Sequence, residues 1–173
     1  MNAAMRSLMD GGVPSIQADD APLAFREIAG AGWLLDDRGA VLLVALNGPN
    51  GQSAPKGVED ISYFEAQANG RGMMDYDLSV SGAERKQILL RRSLAYACLA
   101  LRNLPEQIRT PVHAYISMSE GGLSDDTVTA NVTFSAVRDG VAAYIDDIDI
   151  YEEEALLELT SSDARGLLYE PGL

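Results

Sequence analysis

One cysteine, one histidine and one tryptophan are all that this 173-residue chain holds of those three residues, and each scarcity removes a class of chemistry. A lone Cys98 cannot close an intrachain disulfide, so packing must hold the core. One His and one Cys are too few for a His/Cys zinc site. The longest uninterrupted apolar run, residues 94–101, has eight residues, against roughly 20 needed to span a bilayer. Residues 1–20 are broken by Asp10, Gly11, Gly12 and Pro14, so a secretory leader is not expected and a cytoplasmic location is. Bases are scarce as well: 13 Lys and Arg against 26 Asp and Glu give a net charge of −13. Such a chain can hardly sustain the clustered basic surface that neutralises phosphates, so direct nucleic-acid binding is not expected. A basic protein partner fits better, because complementary potentials speed encounter. Acidity that serves solubility alone is the competing reading.

What is present is ordinary in bulk and informative in pattern. With 47% hydrophobic and 23% charged residues, the chain can bury a real core without staples. Val112, Ala114, Ile116 and Met118 interleave with His113, Tyr115, Ser117 and Ser119. Val128, Ala130, Val132, Phe134 and Ala136 interleave with Thr127, Thr129, Asn131, Thr133 and Ser135. Met74, Tyr76, Leu78 and Val80 interleave with Met73, Asp75, Asp77 and Ser79. Period-two alternation predicts antiparallel strands with one buried face and one wet face. A fourth, shorter stretch covers residues 141–145. Residues 40–46 are apolar throughout, as a central strand covered on both sides would be. The turn before them, Asp36-Asp37-Arg38-Gly39, places Gly where positive φ is needed.

Helices punctuate these strands. Residues 1–21 read as a mobile lead-in to a single domain over 22–173. A short helix is expected over 23–28, and residues 58–68 carry Ile61, Phe64 and Ala68 at helical spacing. The longest helix spans 81–103, with Ser81 and Glu84 as a capping-box pair and Pro105 beyond its end. Leu90, Leu94, Ala97, Leu101 and Leu104 make one core stripe along it. A closing helix is expected over 150–160, with Glu152, Glu153 and Glu154 in its first turn. The predicted fold is α+β: a mainly antiparallel sheet of five to six strands with the long helix packed on one face. The other face, partly covered by the short helices, leaves a polar area around His113, Tyr115, Thr129, Asn131 and Thr133, which a second copy of the chain could close.

Charge is unevenly placed. Residues 120–173 hold thirteen acids against Arg138 and Arg165, whereas residues 71–109 hold seven bases against four acids. The densest cluster makes Asp146, Asp147, Asp149, Tyr151, Glu152 and Glu153 the candidate contact surface for a basic partner. It reads equally as a strand-to-helix junction, with Asp as cap and Glu in the first turn. Arg91, Arg92 and Arg102 could pair with this acidic half and make the two blocks one internal complement. The spacing does not match a calcium-binding EF-hand loop. A second candidate set, for a small ligand or an enzyme, is Asp75, Asp77, His113, Tyr115 and Asn131. Asp75 and Asp77 on one strand face could hold a divalent ion or divide acid and base roles, or simply protect an edge strand. No G-x-S-x-G accompanies His113, and Cys98 falls near the helix core stripe, where a thiol is inert. Residues 48–57 look like a phosphate loop but lack the Gly-Lys-Ser/Thr order. No catalytic residue, cofactor or metal is assigned.

The order of elements near the end is a strand, Arg138-Asp139-Gly140, a strand, then Asp146-Asp147 leading into Tyr151 and an acidic helix. This arrangement resembles the bacterial immunity proteins that neutralise polymorphic toxins, over roughly the second half of the chain. The resemblance implies stoichiometric inhibition by occlusion, with acids meeting a basic toxin surface. A phage or mobile-element accessory protein whose acidic surface imitates nucleic acid is the third option.

Overall fold

In the computed structural model, residues 1–9, 12–48, 60–121 and 127–168 are described. Their helices are α1 (Ala3–Leu8), α2 (Leu23–Gly30), α3 (Val44–Asn47), α4 (Ile61–Asn69), α5 (Gly82–Arg102) and α6 (Ser161–Leu167). The strands are β1 (Trp33–Leu35), β2 (Val41–Leu43), β3 (Arg71–Gly72), β4 (Val112–Glu120), β5 (Val128–Ala136) and β6 (Ala155–Leu159). The fold is α+β and its strand pairs are antiparallel. The expected single sheet is divided in two: a four-stranded sheet in the order β3-β5-β4-β6, and the separate hairpin β1-β2.

The clean alternation of β4 and β5 sets their register, Val112 opposite Ala136 through Glu120 opposite Val128. A slip of one residue would turn Phe134 and Ile116 outward, so burial of one face fixes the pairing. That face meets α5, whose Leu90, Leu94, Ala97 and Leu101 are buried as the stripe requires. Aromatic rings lock the junction edge to face. Tyr96 lies 4.9 Å from Phe25 and 5.6 Å from Phe134, and Phe134 lies 5.3 Å from Trp33. Cys98 sits inside this core, and burial pushes its thiol up to about 12, so it stays protonated and unreactive. Ser81 stands at the N-cap of α5, yet its side chain makes no cap hydrogen bond.

Further local expectations are corrected. Residues 73–80 form no strand; β3 ends at Gly72, and the following turn is clamped to α5 by ion pairs, Asp75 with Arg85 and Asp77 with Arg92. Residues 141–145 are irregular. Residues 150–160 are not a helix: Ala155–Leu159 pairs with the free edge of β4, and the helix begins only at Ser161, where Thr160 and Asp163 form a capping box. Tertiary pairing overrides the helical preference of Leu and Glu there. The lead-in is packed: Met5 and Ile16 are fully buried, and Ile16 bridges Leu168.

The strand expected over 40–46 is only Val41–Leu43, and it is not central. β1 bonds one side of it, and the backbone groups of Val41 and Leu43 turn the other way. There α4 supplies side chains in place of a strand. Val41 N–H donates to Glu65 Oε1 at 2.6 Å, Leu43 N–H to Asn69 Oδ1 at 2.8 Å, and Asn69 Nδ2 to Val41 O at 2.9 Å. This explains why the buried residues of α4 are Ser62, Glu65, Ala66 and Asn69 rather than Ile61 and Phe64. A buried edge must find partners for its polar groups.

Candidate functional site

The wet face of the four-stranded sheet carries His113, Tyr115 and Ser117 from β4, Asn131 and Thr133 from β5, and Leu156 and Glu158 from β6, as alternation requires. It is partly roofed. α4 crosses β5, where Thr133 donates to Ala66 O and Ser135 to Ser62 O at 3.1 Å. From the other side comes the irregular chain after β5. Its Ala142 carbonyl accepts from Ser62 at 2.8 Å, and Tyr144 meets Tyr115 edge to face at 5.4 Å.

Between these two roofs a groove of about 610 Å³ remains on the sheet. Its floor includes Tyr115, Ser117, Asn131 and Thr133, and its walls include Tyr63 and Gln67 of α4 facing Tyr144, Tyr151 and Glu154. Tyr115 is 3% exposed. Burial, reinforced by Glu158 and Asp146, holds its phenol above the ordinary tyrosine range. Burial raises Tyr144 likewise, with Tyr63, Tyr151 and Glu154 as its polar neighbours. The groove is therefore lined by four tyrosines, of which burial disfavours the phenolate of Tyr115 and Tyr144, together with the charged side chains of Glu154 and Arg71. None of its lining residues is His, Cys or Lys.

The second wall belongs to the acidic segment. Residues 139–154 contain seven acids and no Lys, Arg or His. Asp146, Asp147, Asp149, Tyr151, Glu152 and Glu153 are all exposed, and Ile150 among them is 70% exposed. Among the described residues their one ion pair is Asp149 with Arg6, at 3.9 Å between two exposed side chains. No helix follows to give the glutamates a dipole. Asn2, almost wholly buried, fastens the end of the segment: its Nδ2 donates to Tyr151 O and Glu154 O, both at 2.7 Å, and its Oδ1 accepts from Leu156 N–H and Met5 N–H, both at 3.0 Å.

The second candidate set is not assembled. Tyr115 and Asn131 share the groove, but Asp75 and Asp77 are bound to α5, and His113 lies beyond it, with Nδ1 2.7 Å from Glu158 Oε1. Among the described residues no three His, Cys, Asp or Glu side chains are grouped to hold a metal ion. The phosphate-loop-like stretch lies, beyond Gly48, outside the described residues, as do residues 122–126 of the β4–β5 connection. Arg91 and Arg92 of α5 do not pair with the acid-rich half, whereas Lys86 reaches its first acid, Glu120. Arg91 pairs with Asp20 at 2.7 Å and Arg92 with Asp77 at 2.6 Å, while Lys86 reaches Glu120 at 2.6 Å.

Sequence reasoning missed Tyr63, Tyr144 and Glu154 as groove walls, and Glu65, Asn69, Arg138 and Asn2 as the groups that hold the walls in place. The spacing of Ser62, Glu65 and Asn69, one polar stripe on a short helix, was the available signal. No protein-family model, curated protein or solved structure matches this chain.

Proposed function

We propose that this protein binds a basic protein partner in the cytoplasm and inhibits it by stoichiometric occlusion, a toxin being the partner class. The contact surface is Asp146, Asp147, Asp149, Tyr151, Glu152 and Glu153. One observation carries the reading: these acids are exposed and, among the described residues, answered by a cation only at Asp149, whereas Arg85, Arg91 and Arg92 of α5 pair with Asp75, Asp20 and Asp77. Crowded like charges repel, so an outside cation gains from meeting them. Exposed Ile150 and Tyr151 stand between the acids as apolar anchors of the kind that carry binding energy. The strand and the acidic helix behind the resemblance to immunity proteins are an irregular segment and β6. The proposal therefore rests on the surface and not on that organisation.

The test is capture on immobilised protein at low and high salt, beside a variant carrying Asp146→Asn, Asp147→Asn, Glu152→Gln and Glu153→Gln. A basic protein held at low salt, shed at high salt and lost by the variant is expected. Its own activity should then fall to zero near one equivalent. Equal retention by the variant would overturn the reading. A captured nucleic-acid-binding protein would favour the nucleic-acid imitation option. A small-ligand reading keeps only Tyr115 and Asn131 of its five residues, in the groove.

A further inference from the structure

We infer that the tyrosine groove on the sheet receives an arginine side chain of the basic partner, its guanidinium against the rings of Tyr144, Tyr151 and Tyr63 and paired with the Glu154 carboxylate. The inference rests on the basic-partner reading and adds where and how the cation is taken. Three observations point to it. The groove wall is made by the acidic segment itself, through Tyr144, Ile145, Tyr151 and Glu154, so groove and acids form one continuous surface. Aromatic rings line it from both sides, and ring faces attract a planar cation. Glu154 has no ion pair among the described residues, although its backbone is fixed by Asn2.

Burial and neighbouring acids disfavour the phenolate of Tyr115 and Tyr144, so Tyr115 on the floor and Tyr144 in the wall remain hydroxyl donors and acceptors. Arg71 also borders the groove, at the β3 rim. In register it lies opposite Val132, a core-face position, and its charge acts on Tyr96 beneath the sheet. It is exposed and, among the described residues, forms no ion pair with Glu154. Lysine would gain the charge but not the flat stacking and forked hydrogen bonding of a guanidinium.

The probe is N-acetyl-arginine methylamide, titrated into the full chain while the ring resonances of the tyrosines are followed by NMR, with the citrulline analogue as an uncharged control at matched ionic strength. A saturable shift at Tyr63, Tyr144 and Tyr151 with arginine and not with citrulline is expected, at a Kd on the order of millimolar for one side chain. Glu154→Gln and Tyr144→Leu should each weaken it about five- to tenfold, while Tyr144→Phe, which keeps the ring, should not. Equal shifts with citrulline, no saturable shift, or shifts confined to residues 146–153 would each overturn the inference. The last result would leave the basic-partner reading standing, which only the capture experiment with the four-acid variant can remove.

Discussion

Helix α5 and the segment at residues 139–154 are the two charge-dense stretches of this molecule, and they treat their charges in opposite ways. Arg85, Arg91 and Arg92 each meet a carboxylate from a neighbouring part of the fold, and the helix body beneath them is core. Among the described residues Asp146, Asp147, Glu152 and Glu153 form no ion pair, and Asp147 Oδ1 accepts the Asp149 N–H at 2.9 Å. Between the two stands Arg138, which begins the chain leading to the acidic segment and is held by fully buried Glu65. Both terminal guanidinium nitrogens reach the carboxylate, which also accepts Val41 N–H at 2.6 Å and Ala136 N–H at 2.8 Å. Charge on the helix side serves the fold. Among the described residues, charge on the segment is answered inside the fold where Asp149 meets Arg6 and Asp147 caps the 148–150 turn, and the remaining exposed acids are why it points to a partner.

Breaking the inward side should have the largest effect. Glu65→Leu strands Arg138 and two backbone N–H groups in a buried site, and a loss of about 3–5 kcal/mol is expected in urea unfolding. Asn2→Ala removes the partner of four hydrogen-bonding groups, two carbonyls of the segment and the N–H groups of Leu156 in β6 and Met5 in α1. It should cost about 1–3 kcal/mol, with faster hydrogen exchange localised to residues 148–156. Acid titration comes next. Arg92 holds Asp77, and the Thr160 cap holds Asp163, below the ordinary aspartate range. A depressed folded pKa contributes stability that is fully present above the unfolded value and is lost as pH falls through the folded one. The melting temperature should therefore drop as pH falls below about 4. Asp163→Asn should flatten that acid limb while leaving the neutral-pH slope unchanged. Neutralising Asp146, Asp147, Glu152 and Glu153 should have the smallest effect on stability, within about 0.5 kcal/mol and towards gain.

The same contrast explains what could be read from residues alone. β4, β5, the Asp36–Gly39 turn and the core stripe of α5 follow from local patterns that tertiary packing reinforces; Gly39 indeed takes φ +82°. The groove floor followed too, through Tyr115 and Asn131. Residues 73–80 misled because alternation also arises in a turn whose acids are bound to a helix, and Tyr76, placed inside by the pattern, is 80% exposed. Ala155–Leu159 misled because its composition suits a helix, and only the free edge of β4 makes it a strand. The polar face of α4 was visible as a stripe, but not that it would be buried, because its partners, the outer edge of β2 and Arg138, are distant in sequence. The groove walls, Tyr63 and Tyr144, depend on that same placement.

The most direct test of an outward-facing acidic surface compares wild-type protein with the variant neutralised at Asp146, Asp147, Glu152 and Glu153, measuring unfolding free energy and salt-dependent partner capture on the same samples. Unchanged or slightly raised stability together with lost capture is the predicted result. A variant that unfolds more easily yet still holds the partner would contradict it, because the acids would then belong to the fold.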